Sequence, residues 1–166
     1  MEGSDYFTFL GKQEDSSGGL ALCVTSEWKE RLHSVRKVSG HVAPATFKYS
    51  VGGGDRLLAV VSVHGYTQVR RSREQCLVLS FSKELSGACE YERRPADTVV
   101  VAGHFSAKLG CREVGEEYTV GKCEAGARSQ SGEELKELLV QAGLYTASEH
   151  SKDRRVQTAT GGLRVV

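Results

Sequence analysis

The sequence is poor in the features that announce a secreted, membrane-spanning or multidomain protein. Proline occurs only twice in 166 residues, so no stiff linker divides the chain, and residues 1–166 are expected to form a single domain. No apolar run reaches the length of a signal-peptide core or a membrane span. Glu2, Ser4 and Asp5 are also the wrong chemistry for a signal sequence, so an intracellular protein without a membrane segment is expected. The five cysteines (Cys23, Cys76, Cys89, Cys111, Cys123) are odd in number and contain no C-x-x-C pair. That pattern favours plain thiols in a reducing compartment over a disulfide framework or a zinc site. Charge of one sign is missing too. Lys+Arg number 22 against 21 Asp+Glu, and the average does not mark a nucleic-acid binder, although it leaves a local basic patch open.

What the chain does have is glycine, 19 residues of it, and short apolar runs suited to strands. Tyr6–Leu10 and Leu20–Val24 are expected strands on either side of a polar turn. Ser26–Glu30 reads as a loop or a single helical turn, with Trp28 capping the core or, alternatively, stacking on a base. Loose alternation from His41 to Tyr49 puts Val42, Ala45, Phe47 and Tyr49 inward. Gly52-Gly53-Gly54-Asp55 is a turn by chemistry, because glycine reaches positive φ without a Cβ clash. With Leu57–Val63 behind it, this makes a hairpin. No G-x-G-x-x-G or G-K-S/T pattern follows, so the three glycines do not read as a phosphate loop. Helical spacing over Arg71–Ala88 places Cys76, Leu77, Phe81 and Leu85 on one side, with Gly87 as the stop. A second helix opens on a capping box of Ser131 and Glu134, carries Leu135, Leu138, Leu139 and Ala142 on one stripe, and stops at Gly143. Leu144–Ala147 is an expected short strand, and residues 154–166 an expected hairpin around Gly161-Gly162.

The densest apolar run, Thr98 to Ala102, is β-branched and nearly continuous, as in a strand covered on both faces. It stops at Gly103, and then His104, Ser106 and Lys108 appear. In open α/β sheets, ligands and catalytic groups gather just past the carboxyl ends of such strands. Residues 103–110 are therefore expected to form the rim of a site, in a domain of α/β (α+β) class.

Four blocks carry a resemblance to a known family: Gly18-Gly19-Leu20-Ala21-Leu22, Val60-Val61-Ser62-Val63-His64-Gly65-Tyr66-Thr67, Val99 to Gly110, and Ser131-Gly132-Glu133-Glu134-Leu135. The chain resembles the endonuclease/exonuclease/phosphatase superfamily. Within it, the similarity is to non-LTR retrotransposon endonucleases and craniofacial development protein 2-like sequences. These typically read GVGI, VSVYAPT, VVVAGDFNAKLG and NGERL at the four places. The resemblance implies a DNase I-like fold, a four-layer β-sandwich flanked by helices and present here in part. It also implies phosphodiester hydrolysis in DNA, dependent on Mg²⁺ or Mn²⁺, at the sheet ends. That chemistry uses an early acidic metal ligand, a tyrosine after the central strand, the Asp and Asn of GDFNA, and a late Asp and His. Carboxylates serve because Mg²⁺ prefers hard oxygen ligands, and the Asp–His work positions and deprotonates the attacking water.

This sequence departs from the pattern at each of those points. His64 stands at the tyrosine position, with Tyr66 at the following proline. His104 stands at the Asp position and Ser106 at the Asn position. The early glutamate is expected upstream of Met1, and the late Asp–His motif beyond Val166. A neutral imidazole with a pKa of about 6.5 brings no negative charge and favours softer metals than Mg²⁺. Serine lacks the amide's paired donor and acceptor. Loss of one general base alone costs roughly 10²–10⁴ in rate. The expectation is a catalytically inactive copy with no confident catalytic residue, no metal and no other cofactor.

Other readings remain open at this level. His64 and His104 could face one another across the cleft as a new metal or acid–base pair, but two imidazoles without a third ligand are weak grounds for zinc. Cys111 beside the rim invites a nucleophile role that no partner in the sequence supports. A second class is a nucleic-acid or protein binding module without chemistry, with Arg70, Arg71, Arg73, Lys108, Arg154 and Arg155 as basic candidates for DNA contact. A third is that missing edge strands leave the chain unable to fold stably.

Overall fold

A computed structural model describes residues 6–10, 20–66, 75–121, 127–146 and 163–165. In chain order the elements are β1 (Tyr6–Leu10), β2 (Ala21–Thr25), α1 (Ser26–Glu30), β3 (Leu32–Val35), β4 (Val42–Val51), β5 (Gly54–His64), α2 (Gln75–Glu92), β6 (Thr98–His104), α3 (Gln130–Gln141) and β7 (Leu163–Val165). β1 and β2 form an antiparallel ribbon, and the other strands a five-stranded sheet in the order β3-β4-β5-β6-β7. Only β5 and β6 run parallel, and α2 is the crossover between them. The mixed α/β class with a central sheet flanked by helices is as expected.

The hairpin follows from two glycines. Gly52 and Gly53 take φ of 62° and 81°, the left-handed pair that a two-residue hairpin turn needs. Ten ladder pairs then run from Val51–Gly54 back to Val42–Val63. Alternation sends Val42, Ala59, Val61, Val63, Val99 and Val101 to one face, where Phe81, Leu85, Ala88 and Cys89 of α2 and Leu135, Leu138 and Leu139 of α3 cover them. Each large side chain fully buried there, Leu85 or Leu139 for example, contributes about 1.5–3 kcal/mol. On the other face Ala45 and Phe47 are buried, and Trp28 of α1 meets Phe47 edge-on at 5.6 Å, so the core-cap expectation for Trp28 matches its packing. Val100 and Ala102 are only half-buried, so β6 is covered fully on one face rather than on both among the described residues.

One polar group crosses the core. Glu92, 3% exposed, accepts hydrogen bonds from Thr46 Oγ1 at 2.9 Å and Arg36 Nε at 3.2 Å, while the Arg36 guanidinium lies 4.0 Å from the Tyr91 ring centre. This joins the last turn of α2 to β4 and to the segment after β3.

Several local expectations need correcting. Gly87 does not end α2; it sits exposed in the helix, which runs on to Glu92 because Ala88, Cys89 and Glu92 are all buried against the sheet. A helical glycine costs only about 1 kcal/mol, which that burial outweighs. The start of the expected helix at 71–74, with Arg70, Arg71 and Arg73, lies outside the described residues, as do the side chains of Cys76 and Leu77. β3 was not expected. Of the expected strand Leu144–Ala147, Leu144 and Tyr145 are not in a strand, Thr146 is an isolated bridge residue whose N–H also donates to Thr119 O at 3.0 Å, and Ala147 lies outside the described residues. Of the expected C-terminal hairpin only β7 is described, and it extends β6 antiparallel. Cys23, Cys89 and Cys111 are thiols, with Cys76 and Cys123 outside the described side chains. Among the described residues, no helix is long and apolar enough to cross a membrane.

Two substitutions test this packing by urea unfolding. Gly87→Ala, at a helical position with open space around the new Cβ, should stabilise the fold by about 0.5–1 kcal/mol. Glu92→Ala should destabilise it by about 1–3 kcal/mol, because the buried Thr46 hydroxyl loses its acceptor.

Candidate functional site

The strand register builds a row of rings. One step past the last ladder pair of the hairpin, His41 lies opposite His64: the His64 N–H donates to His41 O at 3.0 Å, and His41 Nδ1–H donates back to His64 O at 2.6 Å. The carbonyl can only accept, so Nδ1 of His41 carries the hydrogen. The parallel pairing of β5 with β6 then sets His64 beside His104. Ring centres of His41 and His64 are 6.0 Å apart with planes at 7°, and those of His64 and His104 are 5.9 Å apart at 32°. The Tyr66 ring lies 4.1 Å from that of His41 and meets Phe81 of α2 edge-on. Alternation with Val42, Val63 and Gly103 places the three imidazoles on the face away from the helices.

β6 was expected to stop at Gly103, but it runs on through His104. His64 and His104 therefore stand side by side in register and do not face one another across a cleft. Gly103 is forced by this contact: its φ is 153°, and a Cβ there would run into the backbone of Val63.

The row is not a carboxylate site. His64 is half-buried, and its Nδ1 is enclosed without a hydrogen-bond partner. Burial first, then the neighbouring His41 and His104, holds its pKa below the ordinary 6.5. Among the described residues, no group of three or more His, Cys, Asp or Glu is placed to hold a metal ion. The strand-end residues do not fit the hard, anionic oxygen shell that Mg²⁺ requires.

Ser106, the other expected site residue, follows two places after His104. It has a φ of 50°, the only positive value at a non-glycine among the described residues, and its buried Oγ has no partner. Left-handed φ suits Asn, the residue that the resemblance expects there, better than Ser.

The rim beyond β6 is clipped to the start of α3. Ser129 caps that helix, its Oγ accepting from Gly132 N at 3.0 Å and from Lys108 N at 3.1 Å, while Ser129 N donates to Lys108 O at 3.1 Å. Ser131 is not the N-cap: its hydroxyl donates to Ser106 O at 3.1 Å. Gly132 fits because any Cβ would collide with the Lys108 carbonyl. Arg128, 11% exposed, donates to Leu109 O at 2.6 Å and grips Glu116 with both terminal nitrogens. That grip is the first cause holding the Glu116 carboxyl down at about 2, against an ordinary 4.5.

Of the basic candidates only Lys108 is described, and it is exposed on this rim; Arg70, Arg71, Arg73, Arg154 and Arg155 lie outside the described residues. Cys111 is exposed nearby, whereas burial pushes the Cys89 thiol up to about 11, which leaves it unreactive. His41 escaped sequence reasoning although its signal was available. Counting back ten residues from Val51 and forward ten from Gly54, across the turn, pairs His41 with His64.

Two consequences can be measured. Ser106→Asn should stabilise the fold by about 1 kcal/mol in urea melts, by relieving the left-handed strain. The Glu116 carboxylate supports the fold fully above about pH 4.5, and that support drains away as pH falls through about 2. Thermal melts across this window should therefore show a steeper acid loss in the native chain than in Arg128→Met.

No protein-family model matches the chain, and no curated protein matches it. Among solved structures it is similar to the endonuclease domain of TRAS1, a telomere-specific non-LTR retrotransposon, with a TM-score of 0.50 and 10% identity. The likeness covers 96% of this chain, which spans 66% of that one. At this identity the likeness speaks for the fold alone: a mixed α/β domain whose central sheet is flanked by helices, as in a DNase I-like nuclease domain.

Proposed function

We propose that the chain is a nuclease-like domain of retrotransposon origin in which phosphodiester hydrolysis has been lost. The observation that carries this reading is the chemistry of the strand ends. His64, His104 and Ser106 stand where a metal-dependent nuclease of this resemblance has tyrosine, Asp and Asn, and no carboxylate is among them. Without an anionic shell a divalent cation is not held, and without the cation neither the attacking water nor the leaving oxygen is stabilised. No metal or other cofactor is expected in this copy. The finer placement beside craniofacial development protein 2-like sequences rests on the motif wording around Val99–Gly110, and an intracellular location belongs to the same proposal. Plasmid nicking with Mg²⁺ or Mn²⁺ tests it. No metal-dependent cleavage is expected; cleavage abolished by His104→Ala would sink the inactive reading.

A second reading, a binding module without chemistry, is favoured by exposed Lys108 on a rim whose neighbouring strand ends carry imidazoles. Phosphate contacts give a steep dependence of DNA affinity on salt, with a log–log slope of about −0.9 per contact on duplex DNA. A flat response, or no binding, removes this option.

A further inference from the structure

We propose that His41, His64 and His104 form a proton-gated strip that binds a phosphate-bearing anion without a metal ion. The inference deepens the non-catalytic reading of the same strand ends and rests on it. Three observations converge here. The rings occupy one continuous row at 6.0 Å and 5.9 Å, so an extended anion can lie along them. Two enclosed polar atoms on the same strand ends and rim, His64 Nδ1 and Ser106 Oγ, lack protein partners, and exposed Lys108 follows them in the chain. Finally, among the described residues no carboxylate acts on His64 at the row's centre. The charged groups acting on His64 are His41 from the β4 side and His104 from the β6 side, with the Tyr66 phenol ring against His41.

The gate follows from charge. At neutral pH an uncoupled imidazole is mostly uncharged, and the row then offers an anion little. As pH falls, protons enter a row of like groups that repel one another, so an anion that binds also draws protons in. The half-buried middle ring resists charging. Protons thus stand where a metal-dependent site would place a cation. An imidazole of pKa near 6.5 changes its charged fraction about tenfold between pH 7.5 and 5.5, so affinity should change about tenfold for each proton taken up.

The full chain is titrated by NMR in EDTA through its histidine signals, with exposed His33 as internal reference. The titration is done alone, with inorganic sulfate, whose charge stays fixed in this range, and with a labelled single-stranded DNA oligonucleotide. Sulfate or oligonucleotide should raise the titration midpoints of His41 and His104 but not His33, and oligonucleotide affinity should be about tenfold greater at about pH 5.5 than at 7.5. A response to oligonucleotide alone assigns the strip to a nucleic-acid backbone, and a response to sulfate alone to a small phosphate; either supports the proposal. His104→Asn and His41→Asn, checked for native-like melting, should abolish the gain at low pH. Unmoved midpoints with pH-independent affinity would overturn the proposal, as would a gain that survives both substitutions. DNA binding that is pH-independent in EDTA would overturn it while leaving the binding-module reading intact. Binding that requires Mg²⁺ would overturn both this proposal and the metal-free reading beneath it.

Discussion

The register between β4, β5 and β6 is the constraint on which the rest depends. Two glycines set it on one side and a tight parallel contact on the other. Gly52 and Gly53 take the left-handed φ that brings Val51 back against Gly54, and every later pair in the hairpin is then fixed. Gly103 lets β6 approach Val63 more closely than a Cβ would allow. A slip of one residue in either ladder would turn the valines of the core to solvent, because strand side chains alternate with period two. The hydrophobic face therefore holds the register, and the register in turn lines up three imidazoles that no local sequence motif connects.

Much of the scaffold could be read from residue patterns because it depends on local rules. The Gly-Gly turn, the valine run before Gly103 and the leucine stripe of α3 each announce themselves within a dozen residues. The failures are of two physical kinds. Gly87 and Ser131 obey local preferences that tertiary packing overrides. The helix around Gly87 continues because Ala88, Cys89 and Glu92 are buried, and Ser131 yields the cap to Ser129 because its own hydroxyl is needed at Ser106 O. β3 is the other kind. It is four residues long, with only Leu32 partly buried, so its sequence carries almost no pattern.

The candidate site shows how little of a geometry a sequence position carries. His64 and His104 stood out beside strand ends, yet whether they face one another or lie in line depends on where β6 ends. The resemblance points to the place, where this chain carries His64, His104 and Ser106. Only the ladder shows that the His64 and His104 rings lie side by side, 5.9 Å apart and tilted by 32°. Side-by-side placement matters chemically because neighbouring imidazoles feel one another's charge, whereas imidazoles that converge on one point can share a metal.

The loop after β6 is anchored in the core by the buried side chains of Phe105 and Leu109, and its hydrogen bonds run through its own main chain. His104 O receives Gly65 N, Ser106 O receives the Ser131 hydroxyl, Lys108 uses both its N–H and its carbonyl on Ser129, and Leu109 O receives Arg128. None of these bonds consults the side chains at 104, 106 or 108. The shape of the loop is thereby uncoupled from the residues displayed on it, apart from the conformational preference at Ser106. Such a loop works as a socket with exchangeable fittings: mutation can rewrite the chemistry at the strand ends while the surrounding architecture stays recognisable.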